Sequence, residues 1–319
     1  MTPALITEAE IETARDSIDP VFLDSPLLRE TPLDQALGCA LALKLETLNP
    51  IRSFKGRGTE ALFAALSQKP KAVVATSTGN FGQGIARAAS RRGIAATILA
   101  PDGANPLKLA AMERLGAAVR IVPAAVGDGK AGAARPAAET GAMMIEDGAH
   151  REIAAGAGVI GLELTEAGIL PDILVIQLGD GALAAGIGSW LRARSPKTRI
   201  VGVVASGAPA MMQSLAAGRA VETAEVDTIA DGMAIRAPIA SSVAMLKHCI
   251  DAVVAVDDAA IVAAARLLLR LTGVLVEPSG AAGIAAIATH RDTFAGQSVA
   301  GVLTGSNLSP EFQRQLLQV

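Results

Sequence analysis

The sequence predicts an α/β protein of two lobes, each a mostly parallel sheet covered by helices on both faces. Three observations carry this. Short apolar runs alternate with helical patterns along the chain, and the runs are apolar at nearly every position, as strands buried on both faces require. At 319 residues the chain is also long enough for one large or two ordinary cores.

In order, residues 7–18 form a helix with Ile11 and Ala14 at helical spacing and a capping box between Thr7 and Glu10. Pro20, Pro26 and Pro32 punctuate an extended entry into a strand at 40–46. Strands follow at 72–75, 95–99, 119–122 and 143–145, with helices at 81–91 and 105–115 between them. A second series places strands at 173–177, 200–204, 252–256 and 299–303, separated by alanine-rich helices such as 184–194 and 257–271. The composition shift at Glu146-Asp147-Gly148-Ala149-His150 marks a domain boundary, and residues 130–138 are merely alanine-rich.

Composition narrows the function classes. Six Phe, one Trp and no Tyr leave no stacking platform for single-stranded nucleic acid, and a net charge of −3 with interspersed signs leaves no footprint for nucleic acid or an anionic membrane. A small molecule is the expected partner. Cys39 and Cys249 stand far apart in no paired motif, and His150, His248 and His290 show no metal-ligand spacing, so no metal is expected. Neither a leader-like N-terminus nor a membrane-length apolar run is present, and the expected location is cytoplasmic.

Four stretches carry chemistry. Asn49-Pro50-Ile51-Arg52-Ser53-Phe54-Lys55-Gly56-Arg57-Gly58 sets a lysine at a helix entrance. Arg57 would favour its neutral amine if close, making Lys55 a nucleophile or Schiff-base partner; the structural alternative is a solvated first turn capped by Ser53. Thr76-Ser77-Thr78-Gly79-Asn80-Phe81 joins a strand to a helix and offers an anion site suited to a carboxylate, or else a capped turn with Asn80 left-handed. Gly179-Asp180-Gly181-Ala182-Leu183 again follows a strand and opens a helix, bringing a phosphate within reach of backbone amides. It also fits a nicotinamide dinucleotide fingerprint, but Ala205 and Ser206 stand where that fold needs an acid for the ribose. Glu277-Pro278 and Thr304-Gly305-Ser306-Asn307 complete the set.

These motifs, in this order, resemble the pyridoxal-phosphate enzymes of the tryptophan-synthase β fold, nearest the serine/threonine dehydratase and serine racemase branch, as does Thr228-Ile229-Ala230-Asp231-Gly232. The resemblance implies pyridoxal 5'-phosphate as cofactor, with Lys55 as its covalent attachment and the base that removes the substrate α-proton. It implies that Ser77, Thr78, Gly79, Asn80 and Phe81 bind substrate, with Asn80 also on the ring oxygen. Phe54, Gly179, Asp180, Gly181, Ala182, Leu183, Glu277 and Thr304 would hold the cofactor, Thr304 at its ring nitrogen. A hydroxyl there supports less pyridinium charge than a carboxylate, which favours loss of a β-substituent.

The implied activity is an ammonia-lyase in amino-acid metabolism that removes a β-hydroxyl from a serine- or threonine-like substrate. Racemisation and β-replacement are the alternatives on the same fold. The implied division is a small substrate-carboxylate domain at 48–147 and a large cofactor domain at 1–47 plus 148–319, working as a homodimer. The chain departs from the branch at Phe81, usually histidine, at Thr78, a serine in the racemase, and at Asp180, usually glycine, whose side chain is expected to point away from the phosphate. Residues 204–210 lack the acids of the racemase's cation site, and only fifteen residues follow Thr304, so no attached regulatory module is expected.

Overall fold

The computed structural model describes residues 5–123 and 141–317, so the 130–138 stretch lies outside the described residues. The order is α1 (Glu8–Ser17), β1 (Leu27–Arg29), α2 (Pro32–Leu37), β2 (Ala40–Leu45), α3 (Lys55–Ala65), β3 (Ala72–Thr76), α4 (Asn80–Arg91), β4 (Ala95–Pro101), α5 (Pro106–Arg114), β5 (Ala118–Val122) and β6 (Met143–Met144). There follow α6 (Arg151–Glu166), β7 (Ile173–Gln177), α7 (Ala182–Arg194), β8 (Arg199–Ala205), α8 (Ala210–Ala217), α9 (Ala240–Leu246), β9 (Ala252–Val256), α10 (Asp258–Thr272), α11 (Pro278–Thr289), α12 (Arg291–Phe294), β10 (Ser298–Leu303) and α13 (Pro310–Leu317).

Two sheets organise the molecule. One has the order β5-β4-β3-β6 and is parallel throughout; the other runs β1-β2-β10-β7-β8-β9 and is parallel except at β1. Parallel pairing follows from the crossover helices, which cover the faces and keep the central strands dry: all five residues of β7 are buried, whereas the 119–122 run expected to be buried forms the edge strand β5 and is exposed or half-buried. Thr7 and Glu10 form the capping box.

The prolines are an exception to the extended entry read from sequence. Pro20 opens a 3-10 turn, Pro20–Phe22, and Pro32 sits at the first position of α2 behind a Thr31 cap, where its missing N–H costs nothing. Both are helix starts, which a proline and a run of extended residues signal equally well.

Helix α3, which begins at the lysine, is locked against α6 by two glycines. A Cβ on Gly156 would lie 2.5 Å from Arg57 O, and one on Gly58 would lie 2.6 Å from Ile153 O, so the two backbones approach as only glycine permits. Among the described residues no helix is long and apolar enough to cross a membrane.

Candidate active site

Lys55 is placed by its approach loop. Asn49 winds residues 49–53 around its side chain, its Oδ1 accepting from Ile51 N at 3.1 Å and Ser53 N at 3.3 Å while its Nδ2 donates to Glu46 O at 3.0 Å. The loop then zips to the segment after β10: Phe54 N donates to Thr304 O at 3.1 Å and Ser306 N to Arg52 O at 3.0 Å. Phe54, not Ser53, occupies the N-cap of α3, although Ser53 Oγ still accepts weakly from Lys55 N at 3.4 Å.

The expected cation beside Lys55 is absent from that position. Residues two apart on a helix face different ways, and Arg57 is fully buried on the far side. There its guanidinium donates to Glu46 Oε2 and Oε1 at 2.9 Å each and to Glu163 Oε1 at 2.6 Å. Those two carboxylates hold Arg57 above its ordinary value against the pull of burial. Lys55 instead forms an ion pair with Asp147.

The motifs converge on one cavity of about 220 Å³ between the two sheets. Its wall includes Phe54, Lys55, Ser77, Thr78, Asn80 and Phe81 from one side of the cleft, and Gly179, Asp180, Gly181, Ala182, Leu183, Glu277 and Thr304 from the other. Gly79 alone of the sequence candidates is outside the lining; it packs under Lys108, whose side chain an added Cβ would strike.

Local chemistry explains each arrangement. Ser77 Oγ accepts from Gly79 N at 3.0 Å and Gly82 N at 2.9 Å, so its oxygen organises the start of α4 while its hydrogen stays available. Thr78 is exposed in the cleft, and Asn80 is the first residue of α4 rather than a left-handed turn residue. Asn80 Nδ2 donates to Glu277 Oε1 at 2.5 Å and its Oδ1 accepts from Asn307 Nδ2 at 2.9 Å, which fixes the amide orientation. One Nδ2 hydrogen remains.

Across the cleft, Gly179 passes so close to Gly232 that a Cβ would meet its carbonyl oxygen at 2.5 Å. Gly181 adopts φ +97° as the N-cap of α7, leaving the first amides of that helix without intrahelical acceptors. Asp180 lines the same cavity with its Cβ towards Gly148, and burial, reinforced by the charge of Asp147 and opposed by Lys55, pushes its carboxyl up to about 7.

Sequence motifs missed two groups. Lys108, on α5, is almost fully buried and pairs with Asp231 at 2.6 Å and Glu277 at 3.2 Å. Burial pulls its amine down, but the two carboxylates raise it further, so it stays a cation. The only local clue is a lysine set between Leu107 and Leu109. Asp147 was read as part of a boundary, and nothing in its neighbourhood signals that it meets a residue 92 positions away.

Residues 18–305 match the model of a family described as pyridoxal-phosphate dependent enzyme. The chain belongs to the pyridoxal-phosphate-dependent enzyme family. It is 33% identical over 308 residues to an L-threonine ammonia-lyase of Thermotoga maritima, covering 95% of this chain and 76% of that protein. An L-threonine dehydratase biosynthetic IlvA of Lactococcus lactis is 30% identical over 312 residues, covering 95% of this chain and 75% of that one.

Among solved structures, a threonine deaminase from T.th. superposes with a TM-score of 0.88 at 33% identity, covering 94% of this chain and 98% of that one. Maize serine racemase superposes with 0.89 at 28% identity, covering 98% and 97%. Family membership makes pyridoxal phosphate the cofactor and removes the nicotinamide reading of the 179–183 loop. The tryptophan-synthase β-like architecture expected from the sequence is the one found.

Proposed function

We propose that this family member is an ammonia-lyase that eliminates the β-hydroxyl of a serine- or threonine-like amino acid to give a 2-oxo acid and ammonia. One observation carries it: a single cavity brings Lys55 together with the hydroxyl and amide groups at 77–80, the small-residue loop at 179–183 and the Thr304 hydroxyl. Threonine-cleaving relatives at 30–33% identity support the choice of reaction.

The residues present fit the cofactor. Gly179 and Gly181 line the cavity and pack against Gly232 and Leu246 with no room for a Cβ, and with the first amides of α7 they would hold its phosphate. Lys55 would carry it, the spare Asn80 hydrogen would meet its ring oxygen, and Thr304, 4% exposed, would meet its ring nitrogen. When bound, pyridoxal phosphate supplies the electron sink that makes an α-proton removable.

The protein groups do the rest. Ser77 and Thr78 hydroxyls, with the N-terminus of α4, hold the substrate carboxylate and orient Cα. The Lys55 amine takes the proton from Cα and delivers it to the departing β-oxygen. Phe81, 5% exposed, and Phe54 keep water from the lysine. The same reading takes 48–147 as the substrate-carboxylate lobe and 1–47 with 148–319 as the cofactor lobe of a cytoplasmic homodimer. The strands at 72–144 lying in one sheet support the first division, and the two buried, unpaired cysteines support a reducing compartment.

The test is 2-oxo acid release from L-threonine, L-serine and β-hydroxyaspartate by holoenzyme. Product from L-threonine or L-serine is expected, with none from Lys55→Ala protein. No product from any of the three would sink the assignment, and deuterium entry at Cα without keto acid would move it to racemisation.

A further inference from the structure

Lys55 has a partner that none of the sequence motifs contains. Asp147 Oδ2 is paired with Lys55 Nζ, and the two side chains are 12% and 17% exposed. Asp147 Oδ1 is buried and has no hydrogen-bond partner among the described residues. The next residue, Gly148, turns with φ +78° so tightly against the 179–183 loop that a Cβ would lie 2.8 Å from Asp180 O and 3.1 Å from Asp180 Cβ. Asp147 therefore meets the lysine while the residue after it packs on the acid that interrupts the glycine loop.

We propose that Asp147 is the positioning residue for Lys55: its carboxylate holds Nζ against the cavity wall, and with Asp180 it keeps one proton there as the lysine moves on and off the cofactor. This rests on the reading of Lys55 as the cofactor lysine. A lysine that must engage a carbonyl carbon has to leave Asp147, and an anion with one orphaned oxygen cannot stay buried and alone cheaply. Lys55 Nζ, as an ammonium, gives one proton to the Asp147 carboxylate; both become neutral and the amine lone pair is free to react.

The second carboxyl lets that proton be shared, because two adjacent buried carboxylates do not both ionise. Burial and the Asp147 charge place the Asp180 carboxyl at about 7, which supports a shared proton near neutral pH. The groups facing Asp180 are few. Lys55 comes from α3, Glu146 and Asp147 from the segment after β6, and the uncharged Ser242 and Leu246 of α9 pack on Gly148 and Gly181. Two residues on from Asp180 the chain enters the first turn of α7.

The experiment titrates the bound-cofactor absorbance band of the holoenzyme from acid to alkaline pH without substrate, and measures kcat and KM beside it. The wild-type band should show a step near neutral pH. Asp147→Asn should move that step down by about one pH unit or more, because the charge that raises Asp180 is gone. It should also lower kcat about tenfold with KM changed less than about twofold, and Asp147→Glu should restore most of the rate. Asp180→Asn should abolish the step, and it decides alone if Asp147→Asn does not fold.

A step at the same pH in wild type, Asp147→Asn and Asp180→Asn overturns the proposal, as does wild-type kcat in Asp147→Asn. A cofactor band that survives Lys55→Ala instead overturns the lysine assignment, so the two failures are distinguishable.

Discussion

Arg57→Met separates two accounts of the lysine motif. If the guanidinium served to favour a neutral Lys55 amine, its loss would change the lysine's chemistry; the structure instead spends it on Glu46 and Glu163, so its loss should change stability. Met removes the donors to both carboxylates while filling most of the volume. Glu163 keeps Lys44 at 2.6 Å and Asp24 N at 2.9 Å, but Glu46, fully buried, keeps only Ser25 Oγ at 2.6 Å among the described residues.

Breaking a buried pair by deleting one partner costs about 3–5 kcal/mol, and one stranded carboxylate places the variant in that range. For a chain of this length, at roughly 2 °C per kcal/mol, the melting temperature should fall by about 6–10 °C at pH 7 and fixed cofactor concentration. The pH dependence gives an internal check. In the wild type the Glu163 carboxyl is held low by Arg57 and Lys44 against burial, so it adds stability above its unfolded value that is lost as pH falls. That loss narrows the gap between the proteins as pH falls below about 4.5. Chemical unfolding at several pH values with the cofactor band as a second probe is the assay. A shift of less than about 1 kcal/mol, a gap that widens with acid, or a changed cofactor spectrum in the folded variant would refute the reasoning.

Three further outcomes follow from the geometry. Glu277→Gln replaces the sole anion on Asn80 Nδ2 by an amide that must turn a donor towards Asn80 or Lys108; losing one charge-assisted bond, about 1.5–3 kcal/mol, should weaken cofactor binding about 10–100-fold by equilibrium absorbance titration. Gly179→Ala drives a methyl to 2.5 Å from Gly232 O, and because a backbone atom cannot swing aside, the loop must move, so cofactor retention on gel filtration should drop while the fold persists by circular dichroism. Glu10, held at about 2 chiefly by Arg151 against burial, is lowered in the folded state, so its share of stability is present above its unfolded value and fades as pH falls from about 4.5 to 2. In Glu10→Gln protein, acid unfolding monitored by circular dichroism should lose that component.

Local sequence determined a great deal here. Strands buried on both faces must be apolar throughout, so β3, β7, β8 and β10 announce themselves, and Thr7 with Glu10 specifies a helix start within one turn. Lys55, Asn80, the 179–183 loop and Thr304 were legible because each sits at an element end whose residue types are chemically unusual. Tertiary structure decided what those residues touch. Arg57 turned out to be a buried strut, Lys108 a buried cation spanning 123 positions to Asp231, and Asp147 the neighbour of the lysine from 92 positions away. Spacing rules reach one helical turn or one strand, whereas Coulomb attraction acts through space and is strongest where burial has removed the water. The partners of a buried charge are therefore set by how the two sheets pack, which no window along the chain contains.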